Sequence, residues 1–301
     1  MTKRNPLTYY NREQGKLLDD EIYADAFLDW SYNTAFGRLL TDTVFRHRWV
    51  SRLYGWFQKT RWSRRRIKPF VQQLGVNVDE IVRPLDEFES FNDFFIREID
   101  LSRRTMRWDP DVCISPADGR ALVYPFIEPD ATFRIKRATF NLRELLSDDN
   151  LAERFAGGSM FITRLYLRDY HHFHFPDGGT PGPSRTIAGG LYAVSPYARR
   201  ALVPFYAENQ RMLTRFESEH FGSMALVEVG AFTVGSIRQR FQAEQHVEKA
   251  QRKGLFELGG STVVLLFETD KIVFDDDLIA NTRDDIETYV RLGDSIGRKP
   301  D

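Results

Sequence analysis

The hydrophobic pattern divides the chain into two parts with different periods. From about Glu21 to Asn92, apolar and aromatic residues recur at helical spacing, interrupted at Pro69 and Pro84. From about Val112 onward, short apolar runs are separated by glycine and proline, which is typical of strands. One or two helices are expected over Phe140–Phe155, and the predicted strands are Ala121–Tyr124, Met160–Leu165, Leu191–Val194, Ala225–Ile237, Thr262–Phe267 and Lys271–Phe274.

These two patterns together predict an α+β protein. No long helical pattern separates most of the strands, so a strictly parallel βαβ arrangement is not expected. We expect a helical amino-terminal region over residues 1–100, followed over residues 101–301 by a mainly antiparallel β sandwich or barrel-like body. With 301 residues, 42% of them hydrophobic, the chain is long and apolar enough to bury a core.

The charge distribution adds a basic and aromatic surface to the amino-terminal region. The formal net charge is −1, but no acidic residue occurs between Thr43 and Val78. An aromatic, basic helix can lie at an anionic membrane surface. The alternative is that the aromatic arc packs on the body and the basic side chains are solvated. The arc comprises Trp49, Val50, Leu53, Tyr54, Trp56 and Phe57, and the basic residues are Arg46, Arg48, Arg52, Lys59, Arg61, Arg64, Arg65, Arg66 and Lys68.

Cysteine content and hydropathy exclude several classes of protein. The single cysteine, Cys113, excludes an intramolecular disulfide. No segment approaches the roughly 18 uninterrupted apolar residues that span a bilayer. The apolar segment of an export signal does not follow Met1–Pro6. We therefore expect a protein that neither crosses a membrane nor is exported by these signals.

A Gly-Gly-Ser-Thr segment at the entrance of a predicted strand suits backbone self-cleavage. Glycine tolerates unusual backbone angles and leaves its carbonyl unshielded, so Ser261 Oγ can reach the carbonyl carbon of Gly260 and convert the amide to an ester. Elimination from that ester would leave a pyruvoyl group on residue 261. The alternative, from these residues alone, is an ordinary turn before a buried strand.

A serine hydroxyl needs a base that is held in the right tautomer before it can act as a nucleophile. Histidine and aspartate supply this, but Asp118 before Gly119 alone suggests a turn, and His174 alone suggests a packed or surface residue. His171, His172 and His174 lack the partners of the usual zinc motifs, so we expect no metal. On an extended segment His172 and His174 share one face, and His171 joins them only if the chain turns.

Taken together, the motifs resemble those of the phosphatidylserine decarboxylases, the pyruvoyl-dependent enzymes that make phosphatidylethanolamine. The segments that carry the resemblance stand in the family's order and spacing across residues 90–267, with similar segments near both ends of the chain. They are Asn11–Glu13, Ser90–Arg97, Ser115–Gly119, Asp169–Pro176, Val229–Ala231, Val234–Ile237, Gly259–Thr262 and Gly293–Gly297.

The resemblance implies self-cleavage between Gly260 and Ser261, with His174 as the base and Asp118 as its partner. It also implies that the precursor becomes two chains. These are a β chain of residues Met1–Gly260 and an α chain of residues Ser261–Asp301.

The resemblance further implies a covalent pyruvoyl group, derived from Ser261, as the cofactor. This group would form a Schiff base with the amine of phosphatidylserine and take up electrons as carbon dioxide leaves. His171 would line the decarboxylation site. There it is our candidate acid for protonating the former α carbon of the substrate's serine headgroup. His172 is left unassigned, and the signature segment Asn92–Arg97 is given a structural role.

The implied partners are phosphatidylserine, an anionic membrane surface and the two chains of one precursor. A homo-oligomer is compatible with the sequence, and nucleic acid is not expected. The implied location is the cytoplasmic face of the cell membrane as a peripheral protein, with residues 1–100 as a membrane-association region and residues 101–301 as the catalytic domain. Three alternatives stay open: a pyruvoyl decarboxylase of this family with another amino-acid or lipid headgroup, a serine hydrolase that uses Asp118, His174 and Ser261, and a non-catalytic membrane-binding module.

Overall fold

A computed structural model describes residues 8–19, 55–128, 133–135, 138–190, 209–230, 237–258 and 261–300. The helices with both ends in these ranges are α1 (Ile67–Leu74), α2 (Phe91–Phe95), α3 (Leu142–Leu146), α4 (Asp149–Phe155) and α5 (Asp276–Arg283), with 3-10 turns at Arg61–Arg66 and Leu101–Arg103. The strands are β1 (Thr8–Asn11), β2 (Lys16–Asp19), β3 (Val112–Ile114), β4 (Gly119–Tyr124), β5 (Phe133–Ile135), β6 (Ala138–Phe140), β7 (Ser159–Leu165), β8 (His172–His174), β9 (Gly179–Pro181), β10 (Arg185–Ile187), β11 (Arg211–Ser218), β12 (Gly222–Val229), β13 (Ile237–Gln239), β14 (Arg252–Phe256), β15 (Ser261–Phe267), β16 (Val273–Phe274), β17 (Glu287–Val290) and β18 (Ser295–Arg298).

One large mixed sheet forms the body of the protein. Its strand order is β10-β11-β12-β15-β7-β4-β17-β1-β2, and β9 also pairs with β11. Strands β1 and β17 run parallel, whereas the other ladders of this sheet are antiparallel. Among the described strands the sheet does not close into a barrel, so the barrel-like body that we expected is not found. Its outer strands β10 and β2 are short and largely exposed, as is typical of edges.

The centre of this sheet is buried on both faces. In β15, Val264 and Leu266 pack with α3 and α4 in one apolar cluster, whereas Val263 and Leu265 belong to a second cluster on the opposite face. The second cluster includes residues of β8, β14 and α5. Side chains of a strand alternate between faces, so a strand that is covered on both faces has a continuous apolar sequence. The run after Ser261 is therefore a central strand.

The α+β class that we predicted is confirmed, and most predicted strands are present with shifted ends. The helices expected over Phe140–Phe155 are α3 and α4, and Asn141 forms a capping box with Glu144 at the start of α3. The predicted strand Leu191–Val194 and residues 20–54 of the predicted helical region lie outside the described residues. The β1–β2 hairpin was missed because its four-residue strands depend on pairing with β17, far away in the sequence.

Helices α1 and α2 form a small apolar layer beside the body. Ile67, Phe70 and Leu74 of α1 lie at helical spacing and pack with the phenylalanines of α2. Ser90 Oγ accepts a hydrogen bond of 3.1 Å from Asp93 N and caps α2. This cluster also includes Leu258, just before the Gly-Gly-Ser segment, so α2 lies next to the predicted cleavage site.

Within the described part of the chain, no helix has the length and apolar character needed to cross a membrane. The division at residue 100 stays a prediction, although β1 and β2 add to the large sheet.

Candidate active site

Ser261 is the first residue of β15, at the centre of the large sheet. It pairs with Leu165 at the end of β7, and its side chain is fully buried. Its Oγ has no hydrogen-bond partner among the described residues. Gly259 and Gly260 lie outside those residues. A buried hydroxyl is normally hydrogen-bonded, so an unpartnered one is compatible with a reactive role.

The chain path brings the histidine segment to the same end of the sheet as Ser261. Strand β7 ends opposite Ser261 and leads through a short turn to His171. Phe256 N, a few residues before Ser261, donates a 2.9 Å hydrogen bond to His171 O. Strand β8 also pairs with β14, with Leu255 opposite His172. The topology therefore brings the main chain of the histidine segment next to the chain that leads into the predicted cleavage site.

His174 presents a free ring nitrogen in a buried environment. Its Nδ1 lies 2.7 Å from Ala250 O, and since a carbonyl oxygen only accepts, Nδ1 carries the proton. Its Nε2 is then the acceptor, and it has no partner among the described groups. Burial is the main cause that lowers the pKa of His174 to about 4, so the ring is neutral near pH 7. His174 is therefore suited to act as a base through Nε2.

His171 has the same tautomer because its Nδ1 is also bonded to a main-chain carbonyl oxygen. Its Nδ1 donates to Asp169 O at 2.9 Å, and its buried Nε2 is unpartnered within the described structure. The ring of Phe95 lies 3.9 Å away, measured between ring centroids. Burial, followed by the charge of Arg97, lowers the pKa of His171 to about 3. Near pH 7 the ring is therefore neutral, with its one proton on Nδ1. His171 can act as an acid only after its Nε2 has taken up a proton.

His172 differs from its two neighbours because its Nε2 is used. That atom lies 2.9 Å from Ile96 O, and the ring stacks on Tyr170 with centroids 4.7 Å apart. The described residues contain no group of three or more histidine, cysteine or acidic side chains placed to hold a metal ion.

Asp118 is buried near His174 but is bonded to other groups. Arg104 donates to its two oxygens at 2.5 and 2.9 Å, and Leu292 N donates at 2.8 Å. Burial raises its pKa, but the Arg104 guanidinium outweighs this effect and holds the pKa below its ordinary value. Among the described hydrogen bonds none joins Asp118 to His174, whose Nδ1 is bonded to Ala250 instead. The two side chains therefore interact through charge rather than through a direct hydrogen bond.

Arg104 is the site residue that sequence reasoning missed. It lies in none of the motifs, but its side chain is buried and also pairs with Glu80 at 2.8 Å. A polar cavity of about 290 Å³ lies beside this pair and is lined in part by Arg97, Asp118 and Tyr170. The only sequence signal was an arginine shortly before the Asp-Gly motif, which is too common to be specific.

The chain matches known decarboxylases over nearly its whole length. Residues 91–298 match the family model described as phosphatidylserine decarboxylase. The phosphatidylserine decarboxylase proenzyme of Chlamydia muridarum is 41% identical over 291 residues, which cover 97% of each chain. That of Chlamydia trachomatis serovar L2 is 40% identical over 293 residues and 97% of each chain. That of Chlamydia caviae is 39% identical over 292 residues, 97% of this chain and 98% of the relative.

These matches define a carboxy-lyase of phospholipid synthesis, made as a precursor. The chain belongs to the phosphatidylserine decarboxylase family. The family and the class of enzyme that the motifs predicted are confirmed.

Proposed function

We propose that this chain cuts itself between Gly260 and Ser261 and then converts phosphatidylserine to phosphatidylethanolamine and carbon dioxide. One observation carries the proposal. Ser261 Oγ, His174 Nε2 and His171 Nε2 are all buried without hydrogen-bond partners among the described residues. Buried polar atoms without partners are uncommon in folded proteins, and a catalytic role is one explanation for them. These three atoms belong to the residues for which the sequence predicted chemical roles.

In the self-processing step, Ser261 Oγ attacks the carbonyl carbon of Gly260 and its proton passes to His174 Nε2. The amide C–N bond breaks, the nitrogen takes the proton, and an ester joins the two residues. Loss of the α proton of residue 261 then releases the carboxylate of Gly260. Water then replaces the amino nitrogen on the α carbon of residue 261. The nitrogen leaves as ammonia, and the α carbon becomes a keto group.

His174 suits this step because its ring is neutral and its Nδ1–H is anchored on Ala250 O, which fixes the tautomer. When Nε2 takes the serine proton, the ring becomes positively charged. Asp118, kept ionised by Arg104, is the nearby negative charge that favours the protonated ring. In this proposal Asp118 acts by its field, and Ala250 has the orienting role that the sequence had assigned to Asp118.

The surroundings of Ser261 fit a pyruvoyl group. The Oγ that would be lost is buried and unpartnered in the described structure, so its removal breaks no hydrogen bond there. When formed, this group supplies a carbonyl that takes up the electrons released as carbon dioxide leaves. His171 Nε2 is the atom that we assign to moving a proton at that site, first as a base and then as the donor to the former α carbon.

A direct test of the decarboxylation step is His171→Ala. We expect this variant to cut itself, because His174 and Ser261 are intact, but to release carbon dioxide from phosphatidylserine micelles about 10²- to 10⁴-fold more slowly. Intact-mass spectrometry measures the cut, and labelled carbon dioxide measures turnover. His220→Ala, a change at a partly exposed histidine, is the matched control and should leave both unchanged. Full turnover by cut His171→Ala protein would remove His171 from the mechanism.

The two chains would stay together after the cut. Strand β15 belongs to the α chain and lies between β12 and β7 of the β chain. Arg12 of the β chain also pairs with Asp277 of the α chain, its Nε lying 2.7 Å from the carboxylate. The central position of β15 buries most of its side chains, so separation would expose much of the core.

The described end of the amino-terminal basic region supports membrane contact. Trp56, Phe57 and Trp62 are 66%, 43% and 71% exposed, and Arg61 and Arg65 are exposed beside them. We call these five residues the basic–aromatic edge. Exposed aromatic groups next to basic side chains suit the headgroup region of an anionic membrane. This edge supports a peripheral location at the cytoplasmic face and the assignment of residues 1–100 to membrane association.

Neutralising the basic–aromatic edge should weaken membrane binding without affecting the cut. Each basic residue contributes about 1 kcal/mol near an anionic surface, so Arg61→Gln with Arg65→Gln should lower affinity for phosphatidylserine-containing liposomes by up to about 30-fold at low salt. The loss should shrink as salt rises. Liposome co-sedimentation measures it. The matched control is Arg143→Gln with Arg215→Gln, which removes two arginines that are 54% and 55% exposed elsewhere. Equal binding by both double variants would place the contact outside this edge.

A further inference from the structure

We infer that Arg97 is a positioning residue for His171: its guanidinium holds the main-chain turn on which the His171 imidazole is anchored. This inference rests on the proposed function, because it deepens the role that we assign to His171. It also replaces the purely structural role that the sequence gave to the Asn92–Arg97 segment.

The link between the two residues passes through one carbonyl oxygen. Arg97 Nη2 donates to Arg168 O at 2.7 Å and to Asp169 O at 3.1 Å. Asp169 O also accepts the 2.9 Å hydrogen bond from His171 Nδ1. The oxygen that fixes the tautomer of His171 is therefore itself fixed by Arg97. A shift of this turn would move the ring and its Nε2 together.

A second residue of the same segment packs against the ring itself. Phe95, the last residue of α2, is fully buried, and its ring lies 3.9 Å from that of His171 at an interplanar angle of 41°. Arg97 lies two residues further on, with its guanidinium carbon 5.2 Å from the centre of the Phe94 ring. The end of α2 thus contacts His171 from the ring side through Phe95 and from the main-chain side through Arg97.

Arg97 carries a buried charge that no carboxylate of the described residues neutralises directly. Its side chain is almost fully buried, and Nε and Nη1 have no hydrogen-bond partners among the described residues. The nearby carboxylates are used elsewhere: Asp118 binds Arg104, and Asp169 binds Arg120 at 2.7 Å. Burial lowers the pKa of Arg97 to about 10, which still leaves it charged near pH 7. The positive charge of Arg97 therefore acts on His171 and lowers its pKa.

The charges around His171 favour its neutral form. Burial has the largest effect, Arg97 comes next and His172 adds to it, whereas the bond to Asp169 O and the charge of Asp118 act in the opposite direction. The result is a ring whose Nε2 lone pair stays available well below neutral pH. Arg97 therefore has two effects on His171: it fixes the orientation and it disfavours protonation.

Two substitutions separate these effects. Arg97→Gln removes the charge, and Arg97→Lys keeps the charge on a single donor group. We expect both variants to cut themselves, because His174 and Ser261 are untouched, and both to lose kcat by up to about 10²-fold through misplacement of His171. In Arg97→Gln the fall of kcat on the acid side of its pH profile, the acid limb, should also move to higher pH. The reason is that loss of a nearby cation raises the pKa of His171. In Arg97→Lys the limb should stay in place.

The matched control is Arg83→Gln. Arg83 pairs with Asp93 of α2 at 2.8 Å and stacks on Phe88, but it has no described contact with His171. This variant should keep the kcat and the pH profile of the unmodified protein. Wild-type kcat in cut Arg97→Lys protein, or an unmoved acid limb in cut Arg97→Gln protein, would overturn the inference. The result for His171→Ala decides the proposed function separately, since full turnover in that variant would refute the His171 role whatever Arg97 does.

Discussion

Ser261→Ala should remain a single 35.1 kDa chain and release no carbon dioxide from phosphatidylserine. Alanine has no oxygen to attack the Gly260 carbonyl, and elimination cannot produce a keto group from it. The fold should survive, because Ser261 Oγ makes no hydrogen bond to the described residues and the change removes one buried atom. Intact-mass spectrometry measures the first effect, and a carbon dioxide release assay measures the second.

The matched control for this change is Thr163→Val on the neighbouring strand β7. Thr163 is also fully buried, and its hydroxyl also has no described partner. This variant should be cut and active, which would show that the loss in Ser261→Ala comes from the chemistry of Ser261 rather than from a buried hydroxyl. An active, two-chain Ser261→Ala protein would contradict the account.

His174→Ala should accumulate as the uncut precursor, with self-processing slowed about 10²- to 10⁴-fold. Without the Nε2 lone pair, Ser261 Oγ loses the base that we assign to it. The rate is measured by following the disappearance of the full-length chain after synthesis. His172→Ala is the matched control on the same strand, since the Nε2 of His172 is already bonded to Ile96 O, and it should be cut at close to the normal rate.

Asp118→Asn should slow the same cut less than His174→Ala does. The amide keeps the shape of the carboxylate but removes the charge that favours protonated His174. It also leaves Arg104 with Glu80 as its acidic partner. Cutting of His174→Ala at the normal rate would exclude His174 as the base. If Asp118→Asn alone were cut normally, Asp118 would have no part in the processing step.

Local features of the candidate site could be predicted from the motifs, because short segments with specific side chains keep their local conformation, whereas the chemical roles of these residues stay predictions. Ser261 begins a central strand as the apolar run predicted, and the histidine segment lies at the same end of the sheet. Strict alternation along an extended segment did not anticipate the different uses of His172 and His174. The difference arises because Ile96 O is within reach of His172 Nε2 and not because of the strand period.

The parts that the sequence did not predict depend on contacts between distant segments. The parallel pairing of β1 with β17 joins the two ends of the chain, and no local pattern encodes it. Arg104 neutralises Asp118, and Ala250 O accepts from His174, although neither residue stands out in a motif. The pKa values of His171 and His174 are likewise set mainly by burial, which only the packed structure determines.

The measurement that tests the central claim most directly is the intact mass of the purified, active protein together with the chemistry of its new amino terminus. The account predicts two chains, of residues 1–260 and 261–301, and the shorter one should be lighter by one ammonia than the same chain with a free amino-terminal serine. This chain would resist Edman degradation and react with carbonyl reagents. An active protein that consists of one 35.1 kDa chain, or a shorter chain that begins with a free serine, would contradict it.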